Sequence, residues 1–188
     1  MARTRNQLRI IGGAHRGRRL HFPDGKGLRP TADRVRETLF NWLQGELTGR
    51  RVLDLFAGSG ALGIEALSRG AGHVVFIEQA RQAASQLRDN LRLIGAELTS
   101  DVIQADARRW LNTAEGSFDL VFLDPPFAAN LLGPACHQLE SAGLLNQHAW
   151  LYLEQDHAQP WPTLPENWVL HRDGQAGQAA FRLMHRNG

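Results

Sequence analysis

Cysteine is almost absent: Cys136 stands alone among 188 residues, which excludes an internal disulfide and any zinc site built from several cysteines. Such a lone thiol reads as a small core side chain. No apolar run approaches the ~20 residues of a membrane span, and the start, Met1-Ala2-Arg3-Thr4-Arg5, lacks the apolar stretch of a secretory signal. The expected address is the cytoplasm. The eight histidines show no metal-ligand spacing, so no metal site is expected. Repeats and low-complexity tracts are missing too. An apolar share of 43% suffices for a real core, which argues against disorder and for one domain with a small appendage.

Acid is scarce at the front of the chain. Residues 1–36 carry Arg3, Arg5, Arg9, Arg16, Arg18, Arg19, Lys26, Arg29, Arg34 and Arg36 against only Asp24 and Asp33. This stretch is therefore +8 in a chain whose net charge is +2, which leaves −6 on the remainder. A cationic front on an acidic body argues for a polyanionic partner. Arginine dominates, and its guanidinium fork grips phosphate and stacks on bases. A solvated basic tail is the plainer alternative.

Residues 8–22 read as a hairpin, Leu8–Ile11 alternating into Gly12-Gly13 and Arg18–Phe22 returning after Gly17. Two strands alone are marginal in water, so this arm is expected to lean on the body or on a partner. Pro23 to Pro30 is a loop, after which Thr31 caps a helix over about 31–46. Val35, Leu39, Phe40, Trp42 and Leu43 give that helix an apolar face, with Arg34 and Arg36 expected off it. From Arg51, short apolar runs alternate with helical patterns: strands at 52–55, 73–78, 101–104, 120–123 and 150–153, helices over about 61–69, from Ala80 to Leu91, and near 130–141. That alternation predicts an α/β fold with a mainly parallel sheet covered on both faces. Trp168–Arg172 and Ala179–His185 flank a glycine-bearing turn and predict an antiparallel hairpin at the sheet edge.

Gly58-Ser59-Gly60-Ala61-Leu62-Gly63 matches G-x-G-x-x-G between a strand and a helix. Glycines let the backbone approach a ligand, and the helix start offers free amides. The pattern does not choose a cofactor, but Asp54 places a carboxylate beside the loop, where it would repel a pyrophosphate. A cationic, amino-bearing cofactor, S-adenosylmethionine, fits better than a nicotinamide. Glu78 ends the second of these strands, where it can accept from ribose hydroxyls. Asp106 follows the third, where it can accept from an adenine amino group. Phe56 is a candidate pocket wall and equally a core side chain.

Phe118 to Phe127, FDLVFLDPPF, is an apolar strand ending in an acid, two prolines and a ring. An acid at the carboxyl end of such a strand faces the crevice where open α/β sheets bind ligands. Pro125 and Pro126 remove two amide donors, so carbonyls in this turn are left to accept from elsewhere. Asp124, an outward carbonyl and the Phe127 ring together suit a planar molecule bearing an amino group, such as a nucleobase.

At this point the sequence resembles the Rossmann-like methyltransferases that modify exocyclic amino groups, marked by (Asp/Asn/Ser)-Pro-Pro-(Tyr/Phe). More closely it resembles the RsmD family of bacterial 16S rRNA guanine-N2 methyltransferases. The residues that carry this are Arg9–Gly13, Gly17–Leu20, Arg29–Thr31, Arg36–Leu43, Asp54–Leu67 and Phe122–Phe127. The resemblance implies a Rossmann-like fold with a mainly parallel seven-stranded sheet, a C-terminal antiparallel hairpin and a small N-terminal hairpin extension. Residues 1–30 would be that basic extension and 31–188 the methyltransferase domain. It implies S-adenosylmethionine as cofactor, with Gly58 and Gly60 at its methionine portion, Glu78 at its ribose and Asp106 at its adenine. Asp54 and Phe56 complete the expected cofactor set. Asp124, Pro125, Pro126 and Phe127 would meet the target base, and Arg9, Arg16, Arg18, Arg19, Arg29 and Arg34 the RNA. The implied substrate is a loop guanine of 16S rRNA, position 966, within the small ribosomal subunit, methylated by a monomer with no membrane role.

Adenine N6 and cytosine N4, in RNA or DNA, present amino groups to the same motif and stay open on the residues alone. A nicotinamide oxidoreductase shares the glycine loop but has no use for Asp-Pro-Pro-Phe. A non-catalytic RNA-binding module explains the arginines and leaves the cleft acids idle.

Overall fold

The computed structural model describes residues 6–23 and 32–188. Arg29 and the expected cap Thr31 lie outside the described residues. Two short strands open the chain, β1 (Gln7–Arg9) and β2 (Arg19–His21), antiparallel with Leu8 opposite Leu20. Alternation turns Leu8, Ile10, Leu20 and Phe22 inward and leaves Arg9 and Arg19 exposed. These four apolar side chains join the same core as α1 (Asp33–Trp42) and the main sheet. The arm thus leans on the body, as two lone strands must.

One expectation about α1 is overturned. Arg36 is 1% exposed and lies on the buried face, because 36, 39, 40 and 43 are spaced i, i+3, i+4, i+7 along one stripe. Its NH2 donates to the Arg9 carbonyl at 2.9 Å and to Asp33 at 2.5 Å, and its NH1 lies 3.5 Å from Glu65 Oε2. Glu65, on α2 (Ala61–Ser68), is itself fully buried and accepts from the amides of Ile11 (2.9 Å) and Gly12 (2.7 Å) and from Arg69 Nε (2.8 Å). This carboxylate closes the open turn of the arm onto α2. Gly13, at φ +75°, runs so close to the Ser68 carbonyl that a Cβ there would overlap it. Asn90 Nδ2 donates to the His21 carbonyl at 2.7 Å and seals the far end of the arm.

The main sheet contains β3 (Arg51–Asp54), β4 (His73–Glu78), β5 (Ser100–Gln104), β6 (Phe118–Leu123), β7 (Leu145–Asp156), β8 (Trp168–Ala176) and β9 (Ala179–Arg186). Their order is β5-β4-β3-β6-β7-β9-β8. The pairings from β5 to β7 are parallel, and β9 runs antiparallel to both its neighbours. Alternate residues of one strand feed different cores. Val52, Phe76, Leu120, Phe122 and Tyr152 pack under α1, α2 and α3 (Arg81–Leu93). Leu53, Val75, Val121, Leu123 and Leu153 pack under α4 (Ala107–Leu111) and α5 (Leu132–Ser141), where Cys136 is fully buried and its thiol is pushed up to about 12 by burial.

The five-residue α4 is too short to show a helical period and does not emerge from the sequence pattern. The proline-rich segment after β7 is a strap over α5. His137 Nε2 is 2.9 Å from the Thr163 carbonyl, and Arg182 lies 4.3 Å from the centre of the Trp161 ring.

Glu140, at the end of α5, ties the edge strands down by accepting from Arg186 Nε and NH2 (3.0 and 2.7 Å), Trp168 Nε1 (2.8 Å) and Asn167 Nδ2 (3.0 Å). The Arg186 hydrogen bonds, ahead of those from Trp168 and Asn167, hold its carboxyl down at about 2 against partial burial. A depressed carboxyl stabilises the fold fully above its ordinary value and loses that contribution as pH falls through about 2. E140Q is expected to cost about 2 kcal/mol at pH 7, with the gap to wild type narrowing at pH 3. Urea unfolding at both pH values checks it, and an equal gap at both would refute the charge-based account.

Candidate active site

The chain runs β3, β4, β5 outward on one side and then returns to β6 on the other side of β3. Where the order reverses, the loops after β3 and β6 part and leave a crevice at their carboxyl ends. A cleft of about 1020 Å³ lies there. Asp54, Phe56, Gly58, Glu78, Asp106 and the whole turn Asp124 to Phe127 line it. One space therefore gathers acids from the ends of β3, β4, β5 and β6. Asp54 and Asp124 stand 70 positions apart in the chain and come together because β3 and β6 pair directly, with Asp54 opposite Phe122.

Each acid is held by its surroundings. Asp54 is 2% exposed and accepts from the Gly63 amide at 3.0 Å, under the glycine loop. Burial, opposed by that amide and reinforced by the charges of Asp124 and Glu78, raises its carboxyl to about 7. Glu78 accepts from the amides of Gly58 and Ala80, each at 2.7 Å. An ionised carboxylate has about four lone-pair sites, so Glu78 braces the loop and can still accept from a ribose diol. Asp106 caps α4 by accepting from the Arg109 amide at 2.9 Å through Oδ1, and it lines the cleft. Phe56 serves in both expected ways, lining the cleft and packing against the core beneath α5.

The two loop glycines differ in role. Gly58, at φ +54°, lines the cleft. Gly60 does not: at φ +79° it turns toward α3, where a Cβ would strike the Leu87 methyl. The bare Cα of Gly60 thus lets Leu87 pack against the loop where it turns down to start α2. In the Asp-Pro-Pro-Phe turn, the Pro126 carbonyl accepts from the Ala129 amide at 3.1 Å and closes a 3-10 turn over Phe127–Ala129. That turn fixes where the half-buried Phe127 ring projects.

Three further residues line the cleft, Glu154, Arg108 and Gln178. Glu154 follows Trp150–Leu153 as an acid at the end of an apolar strand, the same signal that singles out Asp54 and Asp124. It is 6% exposed and accepts from the buried Tyr152 hydroxyl at 2.7 Å. Arg108 lies on the unforeseen α4, and Gln178 sits at the β8–β9 tip, which reaches the cleft because β9 pairs back along the end of β7. Arg9, Arg16, Arg18, Arg19 and Arg34 are all exposed, on the arm and on α1. Arg18 NH1 donates to the Leu93 carbonyl at 2.9 Å, which orients it beside the end of α3.

Comparison with known proteins agrees with this geometry. The family model "Conserved hypothetical protein 95" matches residues 8–185. Ribosomal RNA small subunit methyltransferase D of Escherichia coli K12 is 47% identical over 180 residues, which cover 96% of this chain and 90% of that protein. The protein of the same name from Haemophilus influenzae is 42% identical, over 96% and 94% of the two chains. A solved structure titled as a putative methyltransferase from Escherichia coli superposes with a TM-score of 0.91 at 44% identity, over 97% of this chain and 99% of that one. The chain belongs to the RsmD family of S-adenosylmethionine-dependent small-subunit rRNA methyltransferases.

Proposed function

We propose that this chain transfers a methyl group from S-adenosylmethionine to the exocyclic N2 of a guanine in 16S rRNA, guanine 966 of the small ribosomal subunit. The observation that carries this reading is the shared cleft, where Asp124 to Phe127 line the same space as Gly58, Glu78 and Asp106. The residues present suit the cofactor. Glu78 and Asp106 offer acceptors for hydroxyl and amino groups, Gly58 brings backbone close, and the acid lining suits a cation.

When bound, S-adenosylmethionine supplies an electrophilic sulfonium methyl. The guanine amino nitrogen is a poor nucleophile, because its lone pair is delocalised into the ring, so alignment is the main task of the protein. Asp124 and the Pro125 carbonyl accept the two amino hydrogens and favour a pyramidal nitrogen whose lone pair points into the cleft. Positive charge grows on that nitrogen during transfer, the Asp124 carboxylate stabilises it more than the neutral base, and the methylated nitrogen then gives up one proton, to Asp124 or to water. Phe127 stacks on the base, a contact worth ~1 to 3 kcal/mol. A base must leave its stack to reach this turn, which favours an unpaired loop target.

The test is labelled-methyl transfer to naked 16S rRNA, assembled small subunits and DNA, followed by nucleoside analysis. N2-methylguanosine from rRNA or subunits supports the proposal. N6-methyladenine or N4-methylcytosine would replace the base assignment, and transfer to DNA alone would replace the substrate. The arginines are tested separately. Neutralising Arg16, Arg18 and Arg19 together is expected to flatten the slope of log affinity for RNA against log salt by about 2 to 3. An unchanged slope would return them to the role of a solvated tail.

A further inference from the structure

Beside Asp124, on the neighbouring strand, stands a second cleft acid for which the methyl-transfer geometry has no task. The parallel pairing of β6 with β7 sets Phe122 opposite Tyr152 and Leu123 opposite Leu153, so the next step along the chain brings Asp124 level with Glu154. Neighbouring strands lie about 4.8 Å apart, and both acids line the cleft. Phe122 and Tyr152 pack toward the same core, and two positions on, alternation returns Asp124 and Glu154 to that face.

Glu154 is 6% exposed and is held from below. The Tyr152 hydroxyl donates to its Oε2 at 2.7 Å, and the fully buried Tyr152 ring is wedged between Phe122 and Phe181, with centroids 6.3 Å away in each case. An ionised carboxylate has about four lone-pair sites, so this one bond leaves Glu154 able to accept from a group in the cleft. An acceptor carried on a strand and steadied by a packed ring is rigid enough to read a ligand.

The bases whose amino groups suit the Asp-Pro-Pro-Phe turn differ in what stands next to that group. Guanine alone carries a ring N–H there, at N1, whereas the neighbouring ring nitrogen of adenine (N1) or cytosine (N3) is bare and can only accept. Given that this cleft takes the target guanine as proposed, we infer that Glu154 specifies guanine by accepting N1–H beside the amino group held at Asp124, and that Tyr152 is its positioning residue. Burial first, and then the Asp124 charge, raise the Glu154 carboxyl above its ordinary value against the Tyr152 hydroxyl bond. A donated N–H favours the ionised form, and any proton held beforehand passes to water. Adenine or cytosine would set a bare nitrogen against the carboxylate, two acceptors with no hydrogen between them, and the site would reject them. N1 keeps its proton throughout, and Glu154 forms no covalent bond.

The experiment replaces the target guanine, in 16S rRNA joined from synthetic and transcribed pieces, by 2-aminopurine, which keeps the 2-amino group and has a bare N1. Labelled-methyl transfer to both RNAs, naked and rebuilt into small subunits, gives kcat/KM for the wild-type protein, E154Q and Y152F. Wild type is expected to prefer guanine by about 10²-fold or more. In E154Q, where the amide can turn either its oxygen or its NH2 toward N1, that preference should shrink by about tenfold or more, chiefly through loss on guanine. Y152F should shrink it by about threefold to tenfold, because Glu154 loses the hydroxyl that orients it. 2-Aminopurine also lacks O6, but that difference is common to every protein tested and cancels when their preferences are divided. Turnover lowered alike on both bases in E154Q would assign Glu154 to packing and overturn the proposal. A wild-type preference for guanine below about threefold would overturn it as well, with no variant required to fold. So would a preference for 2-aminopurine, which would show the protonated acid donating to a bare nitrogen. Absence of transfer to guanine itself would overturn the proposed function and this inference with it.

Discussion

Asp124→Ala is expected to lower kcat by roughly 10²-fold or more while S-adenosylhomocysteine still binds, the scale of one lost transition-state acceptor. Asp124 follows β6 at the point where the sheet order reverses, and it lines the cleft beside the rigid Pro125-Pro126 turn. A carboxylate there does little for a neutral amine in the ground state. As the nitrogen takes on positive charge its effect grows, so the loss should fall on kcat rather than on binding. Asp124→Asn separates charge from geometry, because the amide keeps one acceptor oxygen and has no charge. It should therefore remain well below wild type, above or near the alanine variant. Single-turnover rates with rRNA, alongside calorimetry with S-adenosylhomocysteine, make the measurement. Near-normal turnover in Asp124→Ala would remove this residue from the chemistry.

Glu65→Ala should damage the fold more than E140Q does, at about 3–5 kcal/mol, the usual cost of removing one partner from a buried ion pair. The variant strands the Ile11 and Gly12 amides and leaves Arg36, 1% exposed, without the carboxylate beside its NH1. Arg69 loses its 2.8 Å partner as well. Two readouts are expected together: a lower urea midpoint, and faster proteolysis within residues 6–23, because this node holds the arm to α2. A loss below about 1 kcal/mol would show that apolar packing of Leu8, Ile10, Leu20 and Phe22 holds the arm by itself. Removing Arg36 and Glu65 together should cost less than the two single changes combined, since each alone takes from the other a charged neighbour, leaving Arg36 only Asp33 and Glu65 only Arg69.

The same node shows what a linear reading passes over. The spacing 36, 39, 40, 43 is visible in the sequence, yet arginine on an apolar stripe is ordinarily assigned to solvent, since charges are rarely buried unless paired. The pairing partner, Glu65, lies 29 positions away on another helix, and only packing brings the two together. Glu154 is hidden for a related reason. Its strand-end position matches Asp54 and Asp124, but the apolar run stops at Leu153, whereas pairing with β9 carries β7 on to Asp156. Gly60 carries a role that its motif position does not show, since its bare Cα lets Leu87 of α3 pack against the loop.

The order of strands and of the helices longer than α4, the glycine loop, the strand-end acids and the Asp-Pro-Pro-Phe turn are determined by the sequence alone. They depend on short-range physics: side-chain periodicity, φ limits at glycine and proline, and local apolar runs. Which acids share one cleft, which arginine is buried and which remain at the surface were decided only by the tertiary structure. Those outcomes depend on strand order and on contacts between residues far apart in the chain, and the energy of a charge is set by what surrounds it in the folded protein.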